Sequence, residues 1–132
     1  MARILISDDD AGILKLMATI LSKAGHVVVT CSSGLETLKK LGVQPEDPSV
    51  ELPDLLVLDI MMPKSDGYTV GTVIRNHPMT RGLPILVVSA LREMSRLFTA
   101  TVQVDGFLSK PFSPEELIAG IAQILEKRKN QA

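Results

Sequence analysis

The residues best suited to chemistry are aspartates, a serine and a lysine, and each stands where a short apolar run stops. Asp8, Asp9 and Asp10 follow Ala2 to Ser7, Asp59 follows Asp54 to Leu58, Ser89 follows Pro84 to Val88, and Lys110 follows Asp105 to Leu108 and precedes Pro111. Aspartates offer hard oxygen ligands without completing a cage, which suits a Mg²⁺ ion that keeps waters and meets an anionic substrate. Carboxylates brought within a few ångströms repel one another unless a cation compensates. An ammonium from Lys110 and a hydroxyl from Ser89 would complete a pocket for a phosphoryl group. Such a set describes phosphoryl transfer to a carboxylate, with two acids holding the metal and a third attacking. The chemistry therefore depends on bringing together residues that are far apart in the chain.

Short apolar runs alternate with segments of helical period. After the three aspartates, Ile13, Met17, Ile20, Leu21 and Ala24 recur at helical spacing, and Gly25 is a helix stop. Val27 to Thr30 reads as a second strand and Gly34 to Leu41 as a short helix. Gly42 to Pro53 carries three prolines and three acids and reads as a solvated loop. Pro63 and Asp66-Gly67 mark a turn before a helix over about Tyr68 to His77. A further helix is expected over about Leu91 to Thr101, weakened by the β-branched Thr99 and Thr101. Ser113, Pro114 and Glu116 form a capping box for a last helix reaching about Arg128.

Five strands alternating with five helices imply an α/β fold with a parallel sheet covered on both faces. Leu55-Leu56-Val57-Leu58 and Ile85-Leu86-Val87-Val88 lack two-residue alternation, as strands buried on both sides should. In a parallel sheet all strand C-termini lie on one edge, and ligands bind where the strand order reverses. In a flavodoxin-like, doubly wound sheet of order 2-1-3-4-5, that point lies between the first and third strands. The aspartates would meet there.

The 132 residues fit one domain, and 45% apolar content is enough to bury a core. Fourteen Lys and Arg against fifteen Asp and Glu give no support for binding a nucleic-acid backbone, which needs a basic excess. The lone Cys31 reads as a small residue at a strand end, and His26 and His77, without ligand spacing, as surface residues. No leader pattern and no apolar run of membrane-spanning length occurs, so cytoplasm is the expected location.

Five stretches resemble one known family: Ile4-Leu-Ile-Ser-Asp-Asp-Asp10, Pro53 to Pro63 (PDLLVLDIMMP), Asp66-Gly67, Val88-Ser-Ala90, and Phe107-Leu-Ser-Lys-Pro-Phe112. In order and at the right strand ends, they resemble the CheY-like receiver domains of two-component response regulators, over about Arg3 to Lys127. The resemblance implies a receiver domain at 1–128 with a short tail at 129–132. It implies that Asp59 is the phosphoacceptor. Asp8 and Asp9 would be the acidic pair, with Asp9 binding Mg²⁺ directly, Asp8 acting through water, and the Met61 backbone carbonyl adding a ligand. Ser89 and Lys110 would grip the phosphoryl group, Phe107 would be the switch aromatic that turns inward while also packing partly in the core, and Lys110-Pro111 would be a cis peptide.

The implied donor is a phosphohistidine on a histidine kinase or phosphotransfer protein. The output is an unnamed partner or effector domain, reached through the helix near Leu91 to Thr101, the fifth strand and the last helix, with dimerisation on phosphorylation compatible with that surface. Such a domain catalyses only its own phosphorylation and dephosphorylation. Met61 and Leu91 stand where relatives orient water against the acyl phosphate. Both are apolar, which implies a long-lived phosphoryl state.

Other readings stay open at this stage. An inactive docking module would need no intact acid and base set. A phosphatase with an aspartyl nucleophile wants a second acid two residues on, where Met61 stands. A flavodoxin-like cofactor carrier wants a Ser/Thr/Gly-rich loop after the first strand, and three aspartates stand there instead. No effector domain follows Ala132, so the chain reads as a stand-alone receiver or a piece of a longer protein.

Overall fold

The computed structural model describes residues 2–59, 67–90 and 102–131. Among the described residues, five strands and four helices follow in chain order: β1 (Arg3–Ser7), α1 (Ala11–Lys23), β2 (Val27–Cys31), α2 (Gly34–Lys40), β3 (Leu55–Asp59), α3 (Gly67–Asn76), β4 (Ile85–Ser89), β5 (Gly106–Ser109) and α4 (Pro114–Gln131). The strands form one parallel sheet in the order β2-β1-β3-β4-β5. This is the doubly wound flavodoxin-like sheet. The helix expected over Leu91 to Thr101 lies outside the described residues, as do Met61 and Pro63. The last helix continues past Arg128 to Gln131, through most of the segment expected as a tail.

The sheet separates two apolar layers. On one face Leu5, Cys31, Leu56, Leu58, Ile85 and Val87 pack with Leu38 of α2 and Val70 and Ile74 of α3. On the other, Ile4, Ile6, Leu55, Val57, Leu86 and Val88 pack with Met17 and Leu21 of α1 and Leu117, Ile121 and Ile124 of α4. All five residues of β3 and of β4 are buried, which is why neither strand alternates. Each fully buried Leu or Ile contributes on the order of 2 kcal/mol.

Helix starts follow the local chemistry. The Asp10 side chain accepts hydrogen bonds from the Gly12 and Ile13 amides at 2.9 and 3.1 Å, so the third aspartate caps α1. Ser113 and Glu116 form the reciprocal box: the Glu116 amide donates to Ser113 Oγ at 3.1 Å and the Ser113 amide to Glu116 Oε1 at 3.0 Å.

The segment after α2 is the solvated loop expected over most of its length, with residues 44–49 exposed, but its start is built into the core. Leu41, Gly42 and Val43 are buried, and the turn closes with the Asp47 amide donating to the Gly42 carbonyl at 2.8 Å. Gly42 has φ 71°, and a Cβ there would collide with the Asp47 carbonyl, so the turn requires glycine. The histidines are also less exposed than expected. His26 Nδ1 accepts from the Ala2 amide at 3.1 Å. His77 Nδ1 accepts from the Met79 amide at 3.1 Å, which leaves Nε2 to donate to Glu46 Oε1 at 2.8 Å. Both imidazoles fasten backbone segments. Among the described residues no helix is long and apolar enough to cross a membrane.

Candidate functional site

Asp8 and Asp9 leave the end of β1, and Asp59 ends β3, the strand beside it. Parallel pairing of Ser7 with Leu58 sets the two acidic strand ends level, one residue beyond that pair. Each of Asp8, Asp9 and Asp59 then offers a carboxylate oxygen within 4.8 Å of the others. Asp8 and Asp59 are buried, while Asp9 faces solvent. The set has the hard oxygen chemistry and the open solvent side that a Mg²⁺ ion with retained waters needs.

Lys110 follows β5 and reaches across the edge. Its Nζ donates to Asp8 Oδ2 at 2.9 Å and to Asp59 Oδ2 at 3.5 Å. Burial by itself would lower the Lys110 pKa, but the hydrogen bond to Asp8 and the charges of Asp59 and Asp8 outweigh it, holding the ammonium above its ordinary value. The cation is thus fixed in its charged form. Both Asp8 oxygens accept from protein donors, since the other oxygen accepts from the Asp10 amide at 2.9 Å. Among the described residues, three carboxylates of this cluster face the Lys110 ammonium, so acids outnumber cations there.

Ser89 ends β4 and is fully buried, and its carbonyl accepts from the Lys110 amide at 2.9 Å, tying the β4 and β5 ends together. The Lys110-Pro111 peptide is cis, as the motif implied. Phe107 is partly covered and partly exposed. Its pairing partner is Val87, but β5 is a four-residue strand at the sheet's edge, and the ring is 39% exposed. Met61 lies outside the described residues.

The fold and the edge constellation coincide with one family. The response regulator receiver domain model matches residues 4–122. The chain belongs to that family. It is a receiver domain of two-component response regulators. It is 40% identical over 131 residues to the probable transcriptional regulator ycf27 of Guillardia theta, which covers 98% of this chain and 47% of that protein. It is 36% identical over 126 residues to the alkaline phosphatase synthesis transcriptional regulatory protein PhoP of Bacillus subtilis (strain 168), covering 95% and 49%. Among solved structures it resembles the chemotaxis protein CheY4 of Vibrio cholerae with TM-score 0.81 and 27% identity, over 94% of this chain and 98% of that one. The receiver domain spans about half the length of the curated relatives it matches.

Two polar features of this receiver domain escaped the sequence reading. Ser7 and Thr37 are both fully buried, with their hydroxyl oxygens 2.6 Å apart directly beneath the acidic edge. Arg75 binds three backbone carbonyls at the opposite end of the sheet. A polar residue closing the apolar run Ile4-Leu5-Ile6 was the only available signal for Ser7. Arg75 had none beyond its place near a helix end.

Proposed function

We propose that this receiver domain accepts a phosphoryl group on Asp59 from phosphohistidine, in a Mg²⁺-dependent reaction that alters its partner-binding surface. The observation that carries the reading is the meeting of Asp8, Asp9, Asp59 and Lys110 at the C-terminal edge between β1 and β3. Asp9, the exposed acid, would bind the ion directly together with Asp59 and the Met61 carbonyl. Asp8, whose oxygens already accept from Lys110 and the Asp10 amide, would act through water. A bound Mg²⁺ would neutralise charge on the transferring group.

The Asp59 carboxylate attacks phosphorus in line, a new O–P bond forms, and the P–N bond to the donor imidazole breaks with its electron pair returning to the ring. Lys110 Nζ, 3.5 Å from Asp59 Oδ2, lies within reach of an equatorial phosphoryl oxygen. Ser89 supplies a second donor, and Phe107 then moves inward from its exposed position, shifting the population toward a partner-binding surface near β5 and α4. The domain catalyses only its own phosphorylation and dephosphorylation, without turnover of an external ester.

The switch unit is residues 1–128. Its partners are a histidine kinase or phosphotransfer protein and an effector domain, in the cytoplasm. The test is labelling by acetyl phosphate with Mg²⁺, followed by intact mass. Wild type gains one phosphoryl group, and Asp59→Asn gains none. Equal labelling of the variant would place the acceptor elsewhere, and multiple turnover of a small phosphate ester would make the chain a phosphatase.

A further inference from the structure

Ser7 occupies the position that sets the acids in register. It pairs with Cys31 of β2 on one side and Leu58 of β3 on the other. Asp8 and Asp59 are the next residues along β1 and β3, so a shift at Ser7 changes the gap between two of the three carboxylates. Yet Ser7 is hydroxylated within an otherwise apolar layer, among Leu5, Cys31 and Leu58.

Its hydroxyl is tied to α2 by hydrogen bonds. Thr37 has one hydroxyl proton and donates it to the Ser33 carbonyl at 2.8 Å. Ser7 Oγ lies 2.6 Å from Thr37 Oγ1, so the two hydroxyls share a hydrogen bond. Ser33 is in turn the N-cap of α2, where its own Oγ accepts from the Glu36 amide at 3.1 Å. The result is a chain, Ser7 to Thr37 to Ser33, joining the β1 end to the first turn of α2, with its Ser7 and Thr37 members fully buried.

We infer that Ser7 and Thr37 are positioning residues for the metal site, a buried hydroxyl relay that fixes the spacing of Asp8 and Asp59 by anchoring the end of β1 to α2. The inference rests on the receiver reading above. Groups that orient metal-binding carboxylates from behind typically carry a 10- to 100-fold share of metal affinity, because an ion with strict octahedral demands tolerates little displacement. A bond that merely added stability would leave ion affinity unchanged once the protein is folded.

The experiment is a titration of the full chain with MgCl₂, followed by amide NMR shifts at the β1 and β3 ends, below each variant's unfolding range. Thr37→Val keeps the shape and deletes the relay, Ser7→Ala deletes its first hydroxyl, and Thr37→Ser restores the hydroxyl at 37. Half-saturating Mg²⁺ should rise about tenfold in Thr37→Val and Ser7→Ala and return to within about twofold of wild type in Thr37→Ser. Acetyl phosphate labelling at saturating Mg²⁺ should reach the wild-type extent in all of them, separating ion affinity from the capacity of Asp59. Wild-type Mg²⁺ affinity in Thr37→Val and Ser7→Ala, whatever their melting temperatures, overturns the relay. Should Thr37→Val not fold, Ser7→Ala decides alone, since Thr37 keeps its bond to Ser33. A wild-type chain whose spectrum ignores Mg²⁺ overturns the receiver reading and the relay with it.

Discussion

At the N-terminal end of the sheet, Arg75 donates from Nε to the Gln103 carbonyl at 2.7 Å and from Nη1 to the Arg81 and Leu83 carbonyls at 3.0 and 2.7 Å. Its Nη2 stands 3.5 Å from Asp105, whose carboxylate also accepts from the Ile85 amide at 2.8 Å. Arg128 Nη1 adds a bond to the Gly82 carbonyl at 2.5 Å. At the C-terminal end, three carboxylates lie within 4.8 Å and share one ammonium. Both ends join charged side chains to strand termini. At the first, the cations end on carbonyls and a carboxylate, and the local structure closes on itself. At the second, carboxylates outnumber cations among the described residues, which is the chemistry that attracts a metal cation. Cations capped by carbonyls mark a brace, and clustered carboxylates at a ligand-binding sheet edge mark a site.

The largest expected effect breaks the brace. Arg75→Ala should destabilise the fold by about 3 kcal/mol, on the order of 10 °C in Tm, because several carbonyls and Asp105 lose a charged donor at once. Acetyl phosphate labelling of the folded fraction should stay at the wild-type rate, and a labelling defect at low temperature would show the two ends to be coupled. Lys110→Ala should do the reverse. Labelling at saturating Mg²⁺ should slow about 100-fold, the usual loss for one preorganised donor to a developing anion. A rate within threefold of wild type would remove Lys110 from the chemistry.

The layer beneath the site supplies a pH test. Burial, then the Glu36 charge, pushes the Cys31 thiol up from 9.0 to about 11. Folded chains therefore hold the proton after unfolded chains have released it, and stability is complete below pH 9 and declines as pH rises toward 11. The loss should approach about 2 to 3 kcal/mol by pH 11. Denaturant melts of wild type and Cys31→Ala between pH 8 and 11 should show a slope in the first that the second lacks. Parallel curves would mean that water reaches the thiol.

The smallest effect sharpens the contrast most. Asp59→Asn removes a negative charge from the crowded edge, so in Mg²⁺-free buffer it should raise stability by about 1 kcal/mol, or a few degrees in Tm. A lower Tm would mean that the bond to Lys110 outweighs repulsion from Asp8 and Asp9, contrary to an edge held under charge strain.

How much was legible in advance depends on the range of the interactions concerned. Ser113 with Glu116 and Asp10 with Gly12 and Ile13 are contacts within one helical turn, so residue type and spacing determined them. The strands declared themselves because apolar runs buried on both faces, such as Leu55 to Leu58, need no partner to be recognised. The strand ends at Asp8, Asp59, Ser89 and Lys110 followed from where those runs stop.

The chain by itself therefore determined the elements, the polar residue at each strand end and, through its motifs, the family. Tertiary structure alone decided that Lys110 lies closer to Asp8 than to Asp59, that Ser7 meets Thr37 across the first layer, that Phe107 stands exposed on an edge strand, and that Arg75 closes the far end. The physical reason is distance along the chain. Lys110 and Asp8 are 102 residues apart, and ångström-level placement of such a pair arises only when strand register, layer packing and side-chain burial are satisfied together.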